Sequence, residues 1–149
     1  TLQGHGQAVW ALLPLPQGKL LSASADRTIR LWDQQECIGS LSGHTDCVRA
    51  LALLPDGRFV SAGNDNTVKV WSLDLSGNSL EQTCGFCLAT LVGHSNFVYA
   101  LAALPNGDIV SGGEDRTVRV WHDGKCVCTI RHPDTVWSVA ALPNGDIAT

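Results

Sequence analysis

Two stretches of the chain are nearly the same sequence. Residues 41–71 read LSGHTDCVRALALLPDGRFVSAGNDNTVKVW, and residues 91–121 read LVGHSNFVYALAALPNGDIVSGGEDRTVRVW. An earlier copy, LQGHGQAVWALLPLPQGKLLSASADRTIRLW, occupies residues 2–32, and a fourth copy begins near residue 132 and stops before it is complete. Repetition on this length scale is typical of solenoids, propellers and other repeat arrays.

The spacing between copies shows that the chain contains an insertion. Trp71 follows the equivalent Trp32 by 39 residues, and Trp121 follows Trp71 by 50 residues. The extra residues fall in an inserted loop, residues 73–85, which is rich in Ser, Gly and Asn. Turn-forming residues of this kind mark a connection between regular elements.

Each copy contains four short runs of strand-forming residues. In the second copy VRALALL, RFVSAG and VKVW are separated by the turn signals PDG and NDNT. Consecutive antiparallel strands on a period near 40 residues predict one blade of a β-propeller per copy. We therefore predict an all-β propeller of about three and a half four-stranded blades, with copies at residues 2–42, 43–91, 92–131 and, incomplete, 132–149.

Composition narrows the classes of partner. The 149 residues carry a net charge of −4, and the ten Lys and Arg are scattered singly, so no basic stripe is available for nucleic acid or an anionic membrane. The longest apolar runs are far shorter than the roughly 20 residues that span a bilayer. The chain lacks methionine and stops within a repeat, so we interpret it as part of a longer protein. The six cysteines show no regular framework, which favours a reducing compartment.

The motifs within the copies resemble WD repeats. Each complete copy has a Gly-His pair and then an Asp six residues before a Trp, as in DRTIRLW, DNTVKVW and DRTVRVW. The resemblance implies that one His, one hydroxyl, one Asp and one Trp form a hydrogen-bonded set in each blade. The implied structural residues are His5, Ser24, Asp26 and Trp32 in the first copy, His44, Asp65 and Trp71 in the second, His94, Asp115 and Trp121 in the third, and His132 in the fourth.

The hydroxyl position differs between copies. Gly63 and Gly113 stand where the first copy has Ser24, so the second and third sets are expected to be incomplete unless Ser61, Ser111 or water substitutes. A hydrogen bond in such a set contributes about 1 kcal/mol net, whereas a buried unpaired partner costs about 1–3 kcal/mol.

The cysteines offer an alternative chemistry. Cys84 and Cys87 form a C-x-x-C, but Cys37, Cys87 and Cys126 occupy equivalent positions on the last strand of each copy. We therefore interpret Cys87 as a small buried apolar residue and Cys84 as the one extra cysteine. A zinc site needs four ligands, so we expect no metal, no redox centre and no cofactor.

Catalysis is not indicated either. Four of the five histidines recur at equivalent positions, and His122 is interpreted as an exposed residue at a strand end. No Ser/His/Asp constellation, phosphate loop or carboxylate pair stands apart from the repeat, so we expect no enzyme.

The resemblance to WD repeats also implies that the loops after each Gly-His and the Asp-containing turns form one top face, where binding is expected. Three copies place an aromatic residue at one equivalent position, and the second copy places Arg49 there. Trp, Tyr and Arg are enriched at binding hot spots, although such rings could equally plug the channel. The candidate partner-binding residues are Trp10, Asp46, Arg49, Asn64, Phe97, Tyr99, Glu114, Asp134 and Trp137.

A narrower resemblance links the chain to the phospholipase A-2-activating protein family. The segment TIRHPDTVWSVAALPNGDI, residues 129–147, is its most distinctive part, because generic WD repeats carry Gly-His where this chain has Arg131, His132 and Pro133. The resemblance implies a seven-bladed propeller that binds monoubiquitin on its top face and acts in ubiquitin-dependent protein turnover. It implies a cytoplasmic and nuclear location, and it implies docking on an AAA ATPase only through domains outside this chain.

Two alternatives remain open at the level of sequence. Many WD propellers serve as general interaction scaffolds or phosphopeptide readers without a ubiquitin role. Because half a ring leaves unpaired edges, we also hypothesise that the chain either associates with a second copy or is one part of a longer protein.

Overall fold

The computed structural model describes residues 2–73 and 85–149. They form three four-stranded antiparallel sheets and one two-stranded sheet, each made of strands that follow one another in the chain. We name the sheets blades 1 to 4 in chain order. The prediction of an all-β propeller fold is confirmed.

The strand bounds follow the repeat. Blade 1 contains β1 (Val9–Pro14), β2 (Lys19–Ser24), β3 (Thr28–Asp33) and β4 (Glu36–Ser42). Blade 2 contains β5 (Val48–Leu53), β6 (Phe59–Gly63), β7 (Thr67–Leu73) and β8 (Gly85–Val92). Blade 3 contains β9 (Val98–Ala103), β10 (Ile109–Gly113), β11 (Thr117–His122) and β12 (Lys125–Arg131). Blade 4 contains β13 (Ala140–Ala141) and β14 (Ile147–Ala148).

The P-x-G turns close the first hairpin of each blade. Gly57 and Gly107 have φ of 88° and 90°, and each donates its N–H to the carbonyl of the residue before the proline, Leu54 or Leu104. Glycine adopts this left-handed conformation without the steric penalty of a Cβ. In blade 1 the same connection is a short 3-10 turn over Pro16–Gly18.

The apolar core lies between neighbouring blades. One cluster joins Leu21 and Ile29 of blade 1 to Phe59 and Trp71 of blade 2, where the two aromatic rings stack with centroids 6.1 Å apart. Equivalent clusters join blade 2 to blade 3 and blade 3 to blade 4. Because each blade buries its face against the next, the inner strands β1, β5 and β9 are brought side by side.

The insertion joins two paired strands. Its predicted ends, Leu73 and Gly85, are opposite each other as the last residue of β7 and the first residue of β8. Cys84 and the rest of the insertion lie outside the described residues. Among residues 2–73 and 85–149, no helix has the length and apolar character needed to cross a membrane.

Candidate functional site on the top face

The top face is the end of the blades where each inner strand begins. His5, His44 and His94 lie just before β1, β5 and β9, and the Asp-containing turns join the second strand to the third in the same blades. Antiparallel order brings these two loops of a blade to the same end, so residues far apart in sequence meet there.

A hydrogen-bonded set supports this end of each complete blade. In blade 3, Nδ1 of His94 lies 2.9 Å from Asp115 Oδ2, and Nε2 lies 2.7 Å from Ser111 Oγ. The indole N–H of Trp121 donates to the same Ser111 Oγ at 2.8 Å. Ser61 and Ser22 hold the corresponding positions in blades 2 and 1.

The assignment of Ser24 to this set was wrong. Ser22 receives the Trp32 N–H, whereas Ser24 Oγ accepts from the backbone N–H of Asp26. Both serines are on one side of β2, but Ser24 lies two residues further from Trp32, about 6–7 Å along the strand. Because the serine equivalent to Ser22 is present in all three copies, the glycines at 63 and 113 leave the sets complete.

Threonine and backbone groups complete the set at the carboxylate. Thr117 donates its side-chain O–H and its backbone N–H to Asp115 Oδ1, and the backbone N–H of Ser95 donates to Oδ2. Thr28 and Thr67 do the same in blades 1 and 2. The D-x-T pattern in each copy contains this threonine, although the sequence alone predicted no role for it.

The donors determine the protonation state of the buried histidine. Ser111 accepts the Trp121 N–H and can therefore give its O–H to His94 Nε2, while Nδ1–H donates to Asp115. This chain of bonds uses a neutral imidazole. Burial lowers the pKa of His94 below its usual 6.5, and this effect outweighs the opposite influence of Asp115.

The carboxylates are held in the ionised form. Burial alone would raise the pKa of Asp65, but bonds from His44, Thr67 and Thr45 outweigh it and hold that pKa well below its ordinary value. The pKa values of Asp26 and Asp115 are lowered by the same competition. These groups are therefore occupied in structural bonds.

A continuous row of planar side chains crosses the top face. The guanidinium carbon of Arg49 lies 4.0 Å from the centroid of the Trp10 ring and 5.8 Å from that of Tyr99. The rings of Tyr99 and Trp137 stack with centroids 4.7 Å apart and planes 10° from parallel. We call these four residues the top-face row. It takes one residue from each blade.

Bulges aim the row away from the sheets. Trp10 is unpaired between Val9 and Ala11 in the register of β1 with β2, and Arg49 and Tyr99 are unpaired in the same way in their blades. A bulge redirects the side chain of the extra residue. The two ends of the row are open to solvent, with Trp10 51% and Trp137 69% exposed.

The turns hold the middle of the row. Arg49 donates from Nε to Asn64 Oδ1 at 3.0 Å, and the Tyr99 hydroxyl donates to Glu114 Oε2 at 3.2 Å. Burial and the neighbouring Glu114 raise the pKa of Tyr99, so the phenol keeps its proton. Phe97 meets Tyr99 edge-to-face at 6.3 Å. The structure therefore brings seven of the nine candidate residues together.

The remaining candidates lie in the loops beside the row. Asp46 and Asp134 are exposed, and each accepts the backbone N–H of the next residue. His132, at the start of blade 4, is half-buried, and its backbone N–H donates to the carbonyl of Arg116. Its structural role stays a prediction.

The interpretation of Cys87 as a buried residue was wrong. Cys37, Cys87 and Cys126 are opposite the blade tryptophans, as their equivalence requires, but all three are exposed. They lie on the outermost strand of each blade, so only one neighbouring strand covers them. His122 is exposed at the end of β11 and hydrogen-bonded to Asp108.

The repeat and its geometry agree with comparisons to known proteins. The family model "WD domain, G-beta repeat" matches residues 1–33, 35–72 and 85–122. Among solved structures, the chain is similar to the WD40 beta propeller domain of Doa1, with 43% identity and a TM-score of 0.85. The match covers 98% of this chain and 48% of that one, so the chain spans about half of its length. No curated protein matches significantly.

Doa1 is a member of the phospholipase A-2-activating protein family, so the narrower resemblance is confirmed as a likeness to that family's propeller. The family model matches three repeats, and each of them contains a His–Ser–Trp–Asp set. The chain therefore belongs to the WD40 repeat family.

Proposed function

We propose that the top-face row binds monoubiquitin and that the chain acts through it in ubiquitin-dependent protein turnover, in the cytoplasm and nucleus. The observation that carries the proposal is the continuity of the row across four blades, with an exposed indole at each end. The resemblance to the phospholipase A-2-activating protein family implies the same partner on the same face.

The chemistry of the row suits an apolar partner with a basic rim. Trp10 and Trp137 offer large rigid surfaces at low entropic cost, as binding hot spots do. Glu114 lies within hydrogen-bond distance of the row, and Asp46 and Asp134 are exposed in the adjoining loops. Ubiquitin presents an apolar patch surrounded by basic side chains, and opposite charges at the rim favour its approach.

A phosphopeptide is a poorer match to the same residues. A phosphate reader uses several arginines that converge on one point. Here Arg49 is stacked on Trp10 and donates its Nε–H to Asn64. The carboxylate of Glu114 accepts a hydrogen bond from Tyr99, the next residue of the row. A general scaffold without a ubiquitin role is the other alternative, and the experiment below separates it from the proposal.

The test is an NMR titration of labelled ubiquitin with the unlabelled chain. We expect shifts confined to the apolar patch of ubiquitin, and we expect Trp137→Ala to weaken binding about tenfold or more, the usual effect of a hot-spot truncation. Leu12→Ala is the matched control, because Leu12 is equally exposed apolar surface, 60% accessible, outside the row. A scaffold would give no shifts with the folded chain, and that result would refute the proposal.

A further inference from the structure

A groove lies between blades 2 and 3, at the end of the blades opposite the top-face row. Its volume is about 610 Å³, within the roughly 300–1,000 Å³ typical of ligand sites. Blade 2 contributes the β5–β6 loop and part of β8, and blade 3 contributes the β9–β10 loop and the β11–β12 turn. This concave surface is therefore separate from the top-face row.

The floor of the groove is apolar. Leu54, Ile109 and Trp121 line it and are themselves more than 90% buried in the cluster that joins the two blades. Leu88 lies at the wall and is 47% exposed. An aliphatic side chain placed here would cover Leu88 and lose its own contact with water, which is favourable by about 25 cal/mol per Å².

The rim on the side of blade 3 is acidic. Asp108 Oδ1 lies 2.6 Å from His122 Nδ1, and Asp123 Oδ2 lies 3.5 Å from His122 Nε2. The Asp123 side chain is 90% exposed, so its carboxylate is available to a partner. Asp108 also accepts a hydrogen bond from the Asn106 side chain in the same loop.

The rim on the side of blade 2 does not neutralise this charge. Arg58 lies 2.6 Å from Asp56, so the guanidinium is already paired with a carboxylate of its own loop. Three carboxylates, one guanidinium and the His122 imidazole therefore face the groove, so its net charge stays negative even when His122 is protonated. Blade 1 differs, because its equivalent cross-strand pair is Lys19 with Asp33, joined at 2.9 Å. Blade 4 repeats the carboxylate of Asp108 as Asp146, which accepts from Asn144 in the same way.

We propose that this groove docks an extended protein segment that places a leucine-like side chain on the floor and an adjacent Lys or Arg against Asp108 and Asp123. Complementary charge selects the basic residue, and the apolar floor selects its neighbour. The inference concerns a different face from the ubiquitin site and stands without it.

The probe is a synthetic peptide, acetyl-Gly-Arg-Leu-Arg-Gly-amide, titrated into the ¹⁵N-labelled chain. We expect saturable shifts of amides in the β5–β6 loop, the β9–β10 loop and the β11–β12 turn at concentrations up to about 2 mM. Replacing the peptide leucine by alanine should weaken binding about tenfold. Replacing both arginines by glutamate should remove the shifts.

Two variants of the chain locate the site. Asp123→Asn should lower the affinity about two- to threefold, the usual scale for an exposed ion pair. Asparagine suits the positive φ of 46° at this position, so folding should be preserved. Glu36→Gln, which changes an exposed carboxylate of blade 1 outside both the groove and the top-face row, should leave the affinity unchanged. Absence of shifts at 2 mM, or equal loss in both variants, would overturn the proposal.

Discussion

In each of blades 1 to 3, a serine on the second strand joins the blade tryptophan to the histidine. Ser22 is 2% exposed and joins the Trp32 indole to His5, and no water is needed to complete the set. An alanine at this position would leave the Trp32 N–H and the His5 Nε2 without their partner. Ser24, at the strand end, bonds two backbone groups, since it accepts from the Asp26 N–H and donates to the Gln7 carbonyl.

We expect Ser22→Ala to lower the free energy of unfolding by about 2–3 kcal/mol and Ser24→Ala to lower it by about 1 kcal/mol. The difference follows from the bonds that each substitution removes, because those of Ser22 are both 2.7 Å long and the one to Trp32 is buried, whereas those of Ser24 are 3.0 and 3.3 Å long and only partly buried. Urea denaturation of the two variants measures it, because both change one buried serine on the same strand. Equal losses would show that the Ser22 hydroxyl contributes no more to stability than the Ser24 hydroxyl.

The buried histidine makes stability depend on pH. The folded pKa of His94 lies below the unfolded value near 6.5, so the unfolded chain binds more protons in the window between them. The contribution of His94 to the free energy of unfolding should therefore be constant above about pH 7 and should decrease as the pH falls below 6.5. Asp115, whose folded pKa is also lowered, adds a further loss only below about pH 4.

The pKa of His122 is shifted in the opposite direction, so this residue must be replaced before the effect of His94 on stability is measured. Its hydrogen bond to Asp108 raises its pKa, so its contribution is present below pH 6.5 and is lost as the pH rises through the folded value. Urea unfolding from pH 8 to pH 5 is best compared between His122→Gln and His122→Gln/His94→Gln. The first should lose stability on acidification, and the second should lose less. Identical slopes would contradict a neutral His94.

At the scale of the element, the bulge in the inner strand determines where Trp10, Arg49 and Tyr99 of the top-face row lie. The alternation of apolar residues in VRALALL predicted the strand, and the PDG turn predicted its end. No residue pattern predicted that Arg49 would be the extra residue in the register of β5 with β6. That irregularity depends on how two strands pair, which is a tertiary property, so sequence identified the row residues without showing that they stack.

The glycines beside the bulges have a steric cause. A Cβ on Gly63 would overlap the carbonyl oxygen of Cys47, and a Cβ on Gly113 would overlap that of Phe97. From sequence these glycines looked like missing serines. In the structure they are the residues that allow the inner strand to come close at the bulge.

We expect Gly63→Ala to destabilise the chain by about 1–3 kcal/mol, because the obstacle is backbone that must shift rather than a flexible side chain. Gly6→Ala is the matched control, since a Cβ there meets nothing within 4 Å and the change should stay within about 0.5 kcal/mol. Thermal unfolding of both variants, followed by circular dichroism, measures the difference. A tolerated Gly63→Ala would show that β5 is free to move outward.

At the scale of the whole molecule, the blades combine two surfaces at opposite ends. The period of the repeat predicted the propeller and the equivalence of His5, His44 and His94, because both follow from internal comparison. The groove between blades 2 and 3 was not predicted, since it arises from contact between copies and from charges that differ among them. Association with a second copy stays a prediction of the sequence, and light scattering on the purified chain is its test.

The five tryptophans provide the most direct test of the proposed ubiquitin-binding surface. Trp32, Trp71 and Trp121 are buried at 1–2% exposure, with their N–H groups bonded to serine, whereas Trp10 and Trp137 lie in the top-face row. The measurement is the set of indole N–H signals of the ¹⁵N-labelled chain during titration with unlabelled monoubiquitin. The signals of Trp10 and Trp137 should move with a single saturation curve, and the three buried signals should stay in place. A ubiquitin complex that leaves the Trp10 and Trp137 signals unmoved, or no complex at all, would contradict the account.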